Sequence, residues 1–227
     1  FLRISLYESG MFSQLKEEDV PKGSFFMLFS NRERTLKYLN CILIGLPIWY
    51  VIGLLVTFSP EIGKELGMTE APIAGESIKY TYIGLALGDL SSGFLSQYFK
   101  SRKKILLAFL ILTIVSIGFY FTLASSSLFA FYTICSLLGF SIGYWAIFIT
   151  VASENFGTNI RATVTTSVPN FVRGSVVPLV LIFESTRSSL GIQNSLITIG
   201  FFTIIIAFIA LHNLEETFGK DLNFLEK

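Results

Sequence analysis

Two ionisable residues sit where ionisable residues are rare. Asp89 lies in the apolar run Ile78 to Phe99, and Arg173 lies in the run Ile160 to Phe183. A charge at bilayer depth is costly unless it is paired, neutralised or in contact with water, so each residue is a candidate for function. An acid in that position can take up a proton on one side and release it on the other, which makes Asp89 the proton-coupling candidate. Arginine keeps its charge and presents a planar fork that fits a carboxylate. Arg173, with Asn170 one turn before it, is therefore a candidate for holding the anionic part of a solute. Trp49, Tyr50, Tyr144 and Trp145 fall inside the first and fourth apolar runs, away from the interfaces where such rings collect. They either pack between helices or line a cavity, where a ring can stack on a solute and still offer a hydrogen bond. Asp89 and Arg173 have plain readings too. Asp89 could bond a neighbouring serine, and Arg173 could bond carbonyls freed near Pro169. Their depths agree within about one helical turn, so a direct pair is a further option.

The elements that position these residues follow from composition. Of 227 residues, 52% are hydrophobic and 15% charged, against about 25% charged in an ordinary soluble domain. Mean hydropathy is +0.65. Six apolar segments run from Tyr38 to Pro60, Ile78 to Phe99, Ile105 to Ala124, Leu128 to Ser153, Ile160 to Phe183 and Ile192 to Leu211. Each is about twenty residues or more, enough to cross a ~30 Å hydrocarbon core as a helix. Lipid offers no partners to open strand edges, so the fold class is an all-α membrane protein. Residues 1–37 read as a cytoplasmic connector with a short surface helix over Ser24 to Ser30, residues 38–213 as the bundle, and residues 214–227 as a cytoplasmic tail.

Orientation follows from the loops. One end of the segments holds Arg32, Arg34, Lys37, the cluster Lys100, Arg102, Lys103 and Lys104, then Arg161, Lys220 and Lys227; the other holds Lys64, Lys79 and Arg187. The positive-inside rule makes the first end cytoplasmic and places both termini there, in an integral protein of the plasma (inner) membrane. No glycine-rich phosphate loop, metal-ligand spacing or histidine–nucleophile pairing is present, so the expectation is no enzyme, no cofactor and no metal. A net charge of +1 gives no reason to expect nucleic acid. Cys41 and Cys135 read as buried free thiols, and His212 as a surface residue. The chain opens on Phe1 without a signal peptide and reads as a piece of a longer protein.

Gly93 to Lys103, GFLSQYFKSRK, resembles the G-x-L-A-D-R-x-G-R-R-K loop motif of the major facilitator superfamily. Gly93, Leu95, Arg102 and Lys103 match, while Gln97 stands at the aspartate. Ser153 to Ala162, SENFGTNIRA, is similar to the S-E-x-F-P-T-x-x-R-A stretch of sugar porters and organic-ion transporters, with Gly157 replacing the proline. Arg173, Gly174 and Pro178 resemble an arginine–glycine–proline element of the organic-ion branch. Glu216, Thr217, Gly219 and Leu222 look like the P-E-T-x-G-x-x-L tail, and LRISLYESGMF resembles the segment after a sixth helix. The resemblance implies the carboxyl-terminal half of a twelve-helix transporter, spans seven to twelve. The missing amino-terminal half would then be its partner, alongside a small-molecule solute and the lipid bilayer. It implies cytoplasmic gate residues at Glu154, Arg161, Arg102 and Gln97, and argues against an Asp89–Arg173 pair, since their helices flank the cavity on opposite edges. The glutamine pair of sugar porters is absent from the first span. The expected function is secondary active transport of a small solute, an organic anion or metabolite, by alternating access with proton coupling. An intramembrane enzyme and a non-transporting structural or receptor protein remain as alternatives.

Overall fold

The computed structural model describes residues 22–226. The segment LRISLYESGMF, most of the expected connector and Lys227 lie outside the described residues. Among those described, regular structure is helical throughout.

The first span covers Arg32–Val56 and is built in pieces: α1 (Arg32–Ile44), a turn at Gly45, α2 (Leu46–Tyr50), and a π-helical stretch over Val51–Val56. Pro47 explains the break, because it has no N–H to donate into the preceding turn. α3 (Ser59–Glu65) caps the far end. α4 (Ala74–Tyr98) and α5 (Arg102–Thr122) follow. The next span, Leu128–Glu154, is discontinuous: α6 (Leu128–Ser141) stops, three residues are non-helical, and α7 (Trp145–Glu154) resumes. α8 (Thr158–Gly174) and α9 (Val176–Leu190) make one long rod, and α10 (Ile192–Asn213) closes the bundle.

Five of these rods are long and apolar enough to cross a membrane. The remaining expected span corresponds to α4. Its 25 residues give about 37 Å of helix, ample for a ~30 Å core. Its serines, glycines and Asp89 lower its apolar content. They do so on one face: its buried residues are Ser77, Thr81, Gly84, Gly88, Ser92 and Ser96, while Leu87, Leu90 and Phe94 point outward. This stripe packs α4 against α6 almost backbone to backbone. A Cβ on Gly84 would lie 1.8 Å from the Ser136 carbonyl oxygen, and one on Gly139 would lie 1.9 Å from that of Thr81. Close approach of this kind drives association where lipid is as apolar as any side chain.

Helix breaks free carbonyls, and each one must find a donor in a dry interior. Two buried hydroxyls supply them. Tyr144 donates to Ile44 O beside the Gly45 turn (3.2 Å) and Tyr120 to Leu55 O in the π-helical stretch (2.7 Å). The Thr113 hydroxyl shares its one proton between Phe109 O in its own helix (2.8 Å) and Ser141 O where α6 ends (3.1 Å). Tyr50 pins the first span to α10 through Leu196 O (2.7 Å), and Gly200 leaves the space its ring occupies. Cys41 and Cys135 are buried and free.

Candidate solute-facing residues and the charge cluster at the basic end

Asp89 comes from the middle of α4, and its carboxylate accepts the Ala146 N–H at 3.0 Å. Ala146 lies in the first turn of α7. The carboxylate thus serves the start of a half-helix, where amides are unpaired and the dipole favours negative charge. Gly88 and Gly143 make this possible, since a Cβ on Gly143 would lie 2.5 Å from the Gly88 Cα. The neighbouring partner is a backbone amide, not the serine of the plain reading. No bond joins Asp89 to Arg173.

Arg173 is exposed on α8. Its guanidinium lies 3.5 Å from Asn170 Oδ1 and 5.9 Å from the centre of the Trp49 ring, within cation–π range. It takes no carbonyl near Pro169 and forms no ion pair among the described residues. Trp49 Nε1 is buried without a hydrogen-bond partner among the described residues. Through those two distances Arg173 stands beside both Asn170 and Trp49. Two open depressions of about 440 and 550 Å³ on α8 are lined by Asn170 and Phe171, and by neither Arg173 nor Trp49. Trp145, partly buried, packs its ring 5.5 Å from that of Phe148, one turn from the Asp89 contact. Tyr50 and Tyr144 are different: both are wholly buried and their hydroxyls are spent on carbonyls. They pack between helices and border no open space in this conformation.

At the basic end, Arg102 reaches Glu154 at 3.2 Å, donates to Ser96 Oγ at 2.8 Å and lies 5.0 Å over the Phe218 ring. Glu154 also accepts from the Thr217 hydroxyl at 2.6 Å. Arg161 pairs with no carboxylate among the described residues. It donates to the carbonyls of Ser153, Phe156 and Leu222 at 3.0, 3.2 and 2.6 Å. Gln97 is exposed, so no acid from that position reaches the start of α5. Glu216 takes that place from the tail: it accepts from the Ser101 hydroxyl and from the amides of Arg102 (2.9 Å) and Lys103 (3.2 Å), while also closing a local turn through Thr217 and Phe218. Burial alone would raise the Glu216 pKa. The Ser101 hydroxyl and the amides of Phe218, Arg102 and Lys103 outweigh it and hold the carboxyl below the usual carboxylate range.

The tail continues across α8 and α1. Thr158 N–H donates to Phe224 O at 2.8 Å, Asn159 exchanges bonds with the Glu226 backbone, and Glu226 pairs with Arg34 at 3.0 Å. Gly157 admits it: a Cβ there would lie 2.6 Å from Glu226 N, and its N–H faces Glu226 Oε1 at 3.4 Å. Proline could supply neither the space nor the N–H. The capping role of Glu216 and the Arg34–Glu226 pair were not read from the sequence. Ser101, whose side chain accepts from the Lys104 N–H at 3.2 Å, is the residue type that could have marked a helix start there.

Residues 5–178 match the Major Facilitator Superfamily. The chain belongs to that superfamily. No curated protein and no solved structure matches it significantly. Members of the superfamily are secondary transporters that move small solutes across lipid bilayers and are not enzymes; with several apolar helices, this chain is an integral membrane transport protein. The match takes in α1 to α8 and the start of α9 and stops short of α10 and the tail. Arg173, Asn170, Asp89 and the Arg102–Glu154 pair all lie within it.

Proposed function

We propose that the chain forms one half of a twelve-helix transporter, with six spans (α1–α2, α4, α5, α6–α7, α8–α9 and α10) and a solute path along the face that carries Trp49, Trp145, Asn170 and Arg173. The single observation behind this is the exposed Arg173 beside Asn170 and Trp49, with no carboxylate partner among the described residues. Lipid cannot cover a guanidinium at that depth. An opposing wall is required, and the amino-terminal six-helix half would supply it, with solute held between the two halves near the midplane. The solute is read as an organic anion or a metabolite with a carboxylate, which fits the arginine fork. Asp89 is the proton-coupling residue in this reading, and the basic end faces the cytoplasm of the plasma membrane, with both termini on that side. Residues 1–37 and 214–227 are then cytoplasmic segments flanking the bundle at 38–213. Glu154, Arg102 and Arg161, with Gln97 nearby, form the cytoplasmic gate; a contact made in one state only biases the alternation.

The test is uptake into proteoliposomes by the intact protein, with Arg173→Lys and Arg173→Ala assayed against a panel of anionic and neutral solutes. Selective loss of the anionic class is expected, with partial retention in the lysine variant. Equal loss in both classes, or no loss in either, removes the anion-binding role.

A further inference from the structure

α5 and α10 leave a groove between them on the outside of the bundle, away from the face carrying Arg173. Its lower part, about 440 Å³, is lined by Lys103, Leu107, Phe208 and His212; its upper part, about 370 Å³, runs on from Phe208 to Ile117 and Ile197. The fourteen helical steps from Lys103 to Ile117 span about 21 Å, more than one leaflet of a ~30 Å core. The walls are apolar throughout, and the only titratable side chains lining it, Lys103 and His212, are at one end.

That end carries two basic side chains with no carboxylate on either ammonium among the described residues. Lys103 Nζ donates to the carbonyls of His212 (2.9 Å) and Leu214 (2.6 Å), which leaves one of its three N–H groups free. Lys104, next to it, is exposed and has no ion pair among the described residues. Two acids stand nearby: Glu216 accepts from the Ser101 hydroxyl and the amides of Arg102 and Lys103, and Glu215 pairs with Lys220 at 3.4 Å, so their charges lie close while their oxygens bond other groups.

We infer that this groove is a binding site for an anionic phospholipid, its acyl chain laid between α5 and α10 and its phosphate at Lys103 and Lys104. One long apolar wall with cations at a single end has the polarity of such a lipid. A second copy of the chain fits worse. Two copies inserted in the same sense would bring one basic cluster against the other, at a Coulombic cost. The site lies outside the solute path and does not depend on the substrate assignment.

The experiment is native mass spectrometry of the intact protein in detergent, titrated with phosphatidylglycerol and with phosphatidylcholine of the same acyl chains. Phosphatidylglycerol should bind more tightly. Lys104→Gln should cut that preference about fivefold, corresponding to ~1 kcal/mol for each basic residue near an anionic surface. Ile205→Trp, which fills the upper part of the groove, should weaken both lipids and leave the preference for those still bound. Both positions are exposed, and an unchanged elution profile verifies folding. Equal affinity for the two lipids overturns the proposal, as does a preference that survives Lys104→Gln. A dimer that Ile205→Trp dissociates would assign the groove to a second copy instead.

Discussion

Asp89 has a cap role fixed by geometry and a proton role that is proposed, and substitution separates them. Its carboxylate accepts the Ala146 amide at 3.0 Å, at the start of a half-helix of 10 residues. Asparagine caps as well as aspartate does, so Asp89→Asn keeps the hydrogen bond and loses the charge–dipole part, about 0.3–1 kcal/mol. Asp89→Ala loses the bond as well, for a total of about 1–2 kcal/mol. In a chain of this size each kcal/mol moves the melting temperature by about 2–4 °C. The alanine variant should melt about 2–8 °C lower, and the asparagine variant within about half that shift. Exchange of the Ala146 amide should accelerate about fivefold or more in the alanine variant. Trp145, adjacent to the contact, gives an independent fluorescence report. In proteoliposomes with an imposed pH gradient, Asp89→Asn should transport but fail to accumulate solute. If asparagine destabilises as much as alanine, the cap is misassigned. If Asp89→Asn keeps full pH-driven accumulation, the proton is carried by another group.

Three further outcomes are expected. Gly84→Ala should force α4 from α6 and lose about 1–3 kcal/mol or more by overpacking, whereas Gly118→Ala, which meets nothing within 4 Å, should be neutral or stabilising; folded yield by size exclusion would decide. Tyr120→Phe should cost about 1–3 kcal/mol by leaving Leu55 O unpaired in the dry interior, measured by thermal unfolding against Tyr132→Phe, whose hydroxyl serves an exposed amide. Because Glu216 has a lowered folded-state pKa, its contribution is fully present above the unfolded value near 4.5 and fades as pH falls through the folded value. Protection of the tail from protease should accordingly hold from pH 7 to 5, and Glu216→Gln should abolish it at every pH.

Apolar runs located the rods because bilayer thickness and backbone satisfaction leave few options. Breaks were harder to see. In sequence, Gly139 and Gly143 permit either close packing or a kink, and nothing local tells the two apart; Gly143 sits where the fourth span stops being helical. The reason lies in Gly88, 55 positions earlier in the chain. The fifth expected span ended at Phe183, while the helix runs to Leu190 because Arg187 bonds Glu184 and Glu61 and satisfies a polar turn. Tyr50 and Tyr144 could not be assigned in advance, since a buried tyrosine needs only one acceptor and that acceptor is set by a remote kink. Glu154, Arg102 and Arg161 are grouped by their resemblance to gate positions at helix ends on one side; Glu154 pairs with Arg102, while Arg161 turns to carbonyls. The reach of Glu216 to Ser101 was not expected, since nothing local marks a bond across 115 positions.

The π-helical stretch at Val51–Val56 has a consequence for how the first span can change. A turn closed five residues apart holds one residue more than an α turn. Everything beyond Val56 is therefore rotated by about 100° relative to an uninterrupted helix grown from Trp49. The stretch behaves as a single-residue insertion absorbed without a loop. Removing one residue from it would let the span rewind as α-helix while Tyr50 kept its partner on α10; Thr57, whose N–H and hydroxyl both bond Ile52 O across the stretch, would bond one turn back instead. Length variation among related chains would then be tolerated at this point of the span, where elsewhere a one-residue change would turn the lipid face inward.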